Sequence, residues 1–188
     1  PSSLPTAGLV GYWSFDGGSG ADSSGSGNNA SFSSTAVIAG QVNEALSFNG
    51  TTSQGDAGSG ATLDNLPAIT VSAWIRPNSL GENSYGRIVQ KGTGTVVVGG
   101  FRFNLQSSNL LSFGVDFSGT DLERRSAAGI VTFGQWQHVA VTWDGTTSAS
   151  NIRFYRNGVE IGYSTTQSAS GSRIDDAINS LYIGNNNA

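Results

Sequence analysis

The sequence predicts an all-β chain folded as a two-sheet antiparallel β-sandwich of jelly-roll type. Three observations carry this. Apolar residues recur with period two along nearly all of the 188 residues and with period 3.6 almost nowhere. Stretches of Gly, Ser, Asn and Asp punctuate the apolar runs at intervals of roughly ten residues, the rhythm of a sandwich. Charged residues are only 12% while glycines number 27, so neutral polar groups carry the solubility.

The elements follow in chain order. Short alternating runs are expected at 9–15, 30–32 and 45–48. The clearest strand spans 69–76: Ile69, Val71, Ala73 and Ile75 point one way, Thr70, Ser72, Trp74 and Arg76 the other, and Pro77 and Asn78 stop it. Runs at 87–90 and 95–98 come next. Residues 101–105 and 110–117 pair across Gln106, Ser107, Ser108 and Asn109, which sets Phe101, Phe103 and Leu105 on one face with Leu111, Phe113, Val115 and Phe117. A run at 130–133 precedes 136–143, predicted central because Val139, Val141 and Trp143 leave little room for a wet face. Residues 152–156 and 159–163 flank Asn157-Gly158, the strongest short hairpin signal, since both residues tolerate positive φ. Residues 181–184 form the last expected strand.

A length of 188 residues suits one domain with a real core. Hydrophobic residues at 37% are too many for disorder, and no run reaches the ~20 apolar residues of a membrane-spanning helix. The net charge is −4, with Lys91 the one lysine and the arginines scattered, so nucleic acid is not an expected partner. Cysteine is absent, which removes disulfides, thiolate metal sites and thiol nucleophiles. With no methionine, even at Pro1, the chain is expected to be a processed piece of a longer polypeptide.

Six ordered segments carry a family resemblance: GLVGYWSFDG at 8–17, DSSGSGNNA at 22–30, ALSFNG at 45–50, TVSAWIRP at 70–77, QWQHVAVTWDG at 135–145 and FYRNG at 154–158. In this order and spacing they resemble the laminin-G-like domains of the concanavalin A-like lectin and glucanase superfamily, particularly the bacterial modules of secreted multidomain proteins. The resemblance implies an N-terminal linker at 1–7 and a laminin-G-like sandwich over 8–188. It also marks two departures. Residues 53–57, SQGDA, replace the usual aromatic and aliphatic alternation, so that strand is expected to be weak. The family's closing strand after its LYIGNN-like segment, of the form FDG-x-IDEV-x-IY, has no counterpart before Ala188.

No catalytic residues are expected. The E-x-D-x-x-E motif of related glucanases is absent, and Glu44, Glu82, Glu123 and Glu160 are dispersed. Asp121-Leu-Glu123 is the nearest imitation and reads as a solvated rim offset by Arg124 and Arg125. His138 is the single histidine; with no nucleophile or orienting partner in reach of a motif, it reads as scaffold. The tryptophans Trp13, Trp74, Trp136 and Trp143 all lie in alternating runs, and core packing is the expected use for most of them.

The loop at 22–29 is the expected metal site. Asp22 and Asn28 offer hard oxygens beside Gly25 and Gly27, and a structural Ca²⁺ there has as its competitor an Asx-turn loop with no ion. Asn29 and Asn49 match the N-glycosylation pattern. Ligand contacts are expected in strand connections, at 81–87 and 118–125: Tyr85 offers a flat amphipathic ring, and Arg87, Asp121 and Arg124 offer directional hydrogen bonds. The expected function is a non-catalytic extracellular or cell-surface module that recognises a glycan or a surface protein through rim loops. The alternative is a structural subunit of a surface filament, associating with neighbouring copies and completed by a strand from another chain. Insertion of this segment into a membrane is not expected.

Overall fold

The computed structural model describes residues 6–92 and 99–185, and the strand expected at 95–98 lies outside them. Fourteen strands follow in order: β1 (Ser31–Ser33), β2 (Ala36–Ala39), β3 (Glu44–Ser47), β4 (Gln54–Asp56), β5 (Ile69–Ile75), β6 (Gly86–Lys91), β7 (Phe101–Gln106), β8 (Leu110–Val115), β9 (Leu122–Ser126), β10 (Gln137–Trp143), β11 (Arg153–Arg156), β12 (Val159–Glu160), β13 (Tyr163–Gln167) and β14 (Leu181–Gly184). A large sheet runs β1-β4-β14-β6-β7-β8-β9-β13, a small one runs β12-β11-β10-β5, and β2 with β3 forms a separate hairpin. Every paired strand is antiparallel, and the helical turns among the described residues are three-residue 3-10 turns.

The core fills the space between the two sheets, as the alternation requires. Phe103 and Leu105 of β7 lie opposite Phe113 and Leu111 of β8 on one wall, and Val139, Val141 and Trp143 of β10 with Phe154 of β11 form the other. Ring contacts cross the gap: Phe103 stacks on Phe154 with centroids 6.1 Å apart, and Phe113 meets Trp143 at 6.4 Å. Asn157 and Gly158 both take positive φ and close the β11–β12 hairpin as the sequence predicts. Strand β10 is internal to the small sheet, flanked by β5 and β11.

A buried ionic network ties the large sheet to the 173–179 connection. The Lys91 side chain is 0% exposed; its ammonium donates to Asp64 Oδ1 at 2.9 Å and to the Asn179 carbonyl at 2.9 Å, with Asp176 3.9 Å away. Asp176 in turn accepts from Arg173 at 2.6 Å and from the Asn65 amide at 2.7 Å. Buried charges persist when every lone pair and proton finds a partner, and here nearly all do.

Four expectations need correction. Residues 9–15 are not a strand: the Tyr12 amide donates to Asp22, the Trp13 indole to the Asn28 carbonyl, and Phe15 takes a φ of 66°, so side-chain bonds rather than a ladder hold the segment. Residues 130–133 are not a strand either, because the Gln137 amide bonds both the N–H and the carbonyl of Thr132 and closes a local turn. The arm expected at 159–163 ends at Glu160; after Gly162 the chain crosses to the large sheet as β13, beside β9. Residues 122–125, read as part of the 118–125 connection, belong to strand β9.

Candidate functional site

A cleft of about 490 Å³ opens between the C-terminal half of β5 and the segment from β3 to Gly50. Ala73, Trp74, Ile75 and Arg76 form one wall, and Phe15 with residues 45–50 forms the other. Ile88, Leu105, Tyr85, Arg87 and Trp136 also line it. Such a volume lies within the ~300–1,000 Å³ of typical small-ligand pockets. Arg76 and Arg87 are its charged lining residues, and no carboxylate or imidazole lines it among the described residues.

The aromatic residues around this cleft are presented by strand alternation. Trp74 points to the solvent face of the small sheet, 44% exposed, with its ring 5.5 Å from the ring of His138 on β10. The Arg76 guanidinium lies 5.2 Å over the Trp136 ring. Tyr85 follows the 3-10 turn Glu82–Ser84, in which Asn83 and Ser84 take positive φ, and that turn lifts its ring to 37% exposure. Arg87 is oriented by bonds to Gln90 Oε1 at 3.0 Å and Asn185 Oδ1 at 3.1 Å.

The other two expected ligand residues lie elsewhere. Register places Gly86 opposite Leu105, and Leu105 opposite Leu111, at one end of the large sheet; Val115 and Leu122 pair at the other end, next to Asp121. Tyr85 and Arg87 are therefore separated from Asp121 by the length of the strands, and the four residues do not form one site. Asp121 accepts the Phe117 amide at 3.0 Å and closes the β8–β9 connection. Arg124 donates to the carbonyls of Ser150 and Ile152, and its guanidinium sits 3.4 Å over the Tyr163 ring, so it braces one sheet against the other. Glu123 accepts from Ser112 and Arg125.

The residues of the 22–29 loop do not fit a calcium ion. Asp22 Oδ1 accepts the amides of Tyr12 and Ser24, each at 2.9 Å, and Oδ2 accepts the Ser24 hydroxyl at 2.8 Å and the Asn28 amide at 2.9 Å. Burial raises the pKa of this carboxyl, but bonds from Ser24, Tyr12 and Asn28 outweigh it and leave the pKa below its ordinary value. Asn28 donates to the Val10 carbonyl and the Thr62 hydroxyl, and its Oδ1 is turned toward Gly60. Donors thus occupy both oxygens of Asp22, and no group of three acidic or histidine side chains gathers among the described residues. The arrangement is an Asx turn. Asn29 is exposed and accepts the Asp22 amide; Asn49 caps Thr51, Thr52 and Ser53 with its Oδ1 and donates to the Thr52 hydroxyl.

His138 is part of the sheet's framework: its amide donates to Asn157 Oδ1, and its carbonyl accepts the Asn157 amide. Sequence reasoning missed Trp74, Trp136 and Arg76, having assigned most tryptophans to the core. The signal was present, since alternation sets Trp74 on the face of Thr70, Ser72 and Arg76, the polar side of β5. Two buried polar groups also escaped it. Among the described residues the Asn104 side-chain amide meets no hydrogen-bond partner, and the Asp116 carboxylate has the Arg102 guanidinium at 3.7 Å and the Gly99 backbone beside it. Burial and the nearby Asp121 charge push the Asp116 carboxyl up to about 6, against the opposing pull of Arg102.

Fold and cleft together define an antiparallel β-sandwich with an aromatic, carboxylate-free groove at the edge of its smaller sheet. The chain belongs to the Laminin_G_3 family of the concanavalin A-like lectin/glucanases superfamily, whose sequence model matches residues 49–188. No curated protein matches it in sequence. Among solved structures it is similar to domains LG4-5 of the mouse laminin alpha1 chain, at 17% identity and a TM-score of 0.44 over 62% of this chain and 28% of that one. It is also similar to the native heptameric SAP-like pentraxin from Limulus polyphemus, at 20% identity and a TM-score of 0.39 over 63% and 53%. The chain spans about a quarter and about half of the lengths of these two proteins.

Proposed function

We propose that this domain is a non-catalytic extracellular recognition module that binds a glycan or a surface protein at the rim around Tyr85 and Arg87. The observation that supports it best is the composition of the cleft. Trp74, Tyr85 and Trp136 offer flat apolar surface with polar edges, Arg76 and Arg87 offer directional donors, and the lining has no carboxylate to serve as general acid or nucleophile. The site departs from the sequence expectation in using one of the two loops, with β5 and Trp136 replacing the 118–125 connection.

A glycan array and a panel of extracellular-matrix proteins, read with the wild-type chain and with Tyr85→Ala and Trp74→Ala, test this. A ligand whose affinity falls tenfold or more in both variants is the expected result. Binding that both variants leave unchanged would refute the placement. Polysaccharide turnover by the purified chain, abolished by Glu123→Ala, would refute the non-catalytic reading.

A further inference from the structure

The outer face of the large sheet is polar, as a sandwich surface should be, but its centre is sealed from water. Residues that alternate with the core along β6 to β9 are expected to be solvated. Register sets Gln90, Arg102, Gly114 and Glu123 in one row of that face, and Asn104, Ser112 and Arg125 in the next. Gln90, Asn104 and Ser112 are only 2%, 1% and 0% exposed, while the side chains of Arg102, Glu123 and Arg125 beside them remain partly exposed. A polar centre is thus sunk within a charged margin.

Most of these groups satisfy one another. The Ser112 hydroxyl donates to Glu123 Oε1 at 3.2 Å, Arg125 donates to both oxygens of Glu123 at 3.1 Å, and Gln90 donates to the Gly92 carbonyl at 3.3 Å. Asn104 is the exception: neither its Nδ2 nor its Oδ1 has a partner among the described residues. It lies inside the sheet, with β6 on one side of its strand and β8 on the other, so no open edge accounts for this. A buried amide left unmade in a native chain calls for a function that makes it. Arg102 stands next to it on the same face of β7. Its guanidinium folds over Gly114, 2.9 Å from where a Cβ would stand, and its contacts to Asp116 at 3.7 Å and Glu123 at 4.0 Å are longer than hydrogen bonds.

We propose that this recess binds a neutral oligosaccharide lying across β6 to β9, with Asn104 beneath it and Arg102 turned outward onto it. The proposal goes beyond the rim reading, because Arg102, Asn104 and Ser112 do not line the cleft. An unpaired amide presents a donor and an acceptor side by side, and a sugar hydroxyl accepts from the one while donating to the other. A carboxylate or phosphate only accepts and would leave Oδ1 orphaned. Charge points the same way: Arg102 and Arg125 stand against Asp116 and Glu123, so the face has no net charge to draw an ionic ligand. The two rows hold no apolar side chain against which a peptide could seat its own. From β6 to β9 is three strand spacings, ~14 Å, which is longer than one sugar ring.

The test titrates the 188-residue chain with linear hexasaccharides of β-1,4-glucose, β-1,3-glucose, β-1,4-mannose and β-1,4-xylose, and with hexagalacturonate as the charged comparison. Calorimetry reads affinity, and NMR reads the side-chain amide of Asn104. At least one neutral hexasaccharide is expected to bind at millimolar concentration or below and to shift the Asn104 Nδ2 signals. Asn104→Leu keeps the shape and removes the orphaned amide, so it is expected to melt no lower than the wild type while its affinity falls tenfold or more. Arg102→Gln, at the partly exposed margin, is expected to lose a similar factor. The proposal is overturned if no neutral hexasaccharide binds, if hexagalacturonate binds more tightly than all of them, or if either variant binds the sugar as the wild type does. It is equally overturned if Asn104→Leu melts lower than the wild type, since the amide is then satisfied in solution by an internal water or by the chain itself. A sugar whose binding falls in Tyr85→Ala but in neither of these variants belongs to the cleft, which keeps the rim reading and rejects this one.

Discussion

Strands β5 and β10 lie side by side with the same alternation, yet their inward residues have different fates. Val139 and Val141 are sealed because β10 has a neighbour on each side, while Val71, Ala73 and Ile75 stay half-open because β5 has a neighbour on one. Alternation decides which face a side chain takes, and the number of neighbouring strands decides how much water it loses. The closed side of the molecule carries the stability, and the open side carries the cleft.

The largest expected effects lie on the closed side. Lys91→Met takes the buried ammonium away from Asp64 and the Asn179 carbonyl, while Asp176 keeps Arg173, and should cost about 3 kcal/mol in chemical denaturation. Phe154→Ala removes a fully buried ring stacked on Phe103 and should cost about 3–5 kcal/mol, whereas Ile75→Ala on the open side should cost only ~1–2 kcal/mol. Equal costs for Phe154→Ala and Ile75→Ala would show that the β5 edge is closed in solution.

The next effect depends on pH. The Asp116 carboxyl, raised from 3.8 to about 6, binds its proton more tightly in the folded chain than in the unfolded one. Its contribution to stability is fully present below pH 4 and is lost as pH rises through 6. Asp116→Asn, always neutral, should therefore be the more stable form at pH 7.5, by about 1–2 kcal/mol, with the advantage vanishing near pH 4. Thermal melts of both proteins across this range measure it, and an advantage that grows on acidification would contradict the assignment.

The smallest effect concerns the N-terminal loop at 22–29. Asp22→Ala deletes an acceptor of four hydrogen bonds and should cost ~1–2 kcal/mol, while EDTA should leave the melting temperature of the wild-type chain unchanged. A melting temperature lowered by EDTA and restored by calcium would mean that the loop rearranges around an ion.

Much of this protein was legible in its sequence, because strand period and turn chemistry are local. The face-sharing of Phe101, Phe103 and Leu105 with Phe113 and Val115, the Asn157-Gly158 hairpin, the central place of 137–143 and the last strand at 181–184 all follow from spacing and from which residues tolerate positive φ. Quantities that depend on what arrives from far along the chain were decided only by the tertiary structure. Residues 9–15 alternate like a strand but pair with no strand among the described residues. Residues 122–126, charged and short, become a strand because β8 and β13 supply partners on both sides. Tyr85 and Asp121 look alike as loop residues, and only the register of β6 through β9 sends them to opposite ends of the sheet. The cleft belongs to this second kind of property, since it arises from the positions of neighbouring strands, which no single segment of sequence records.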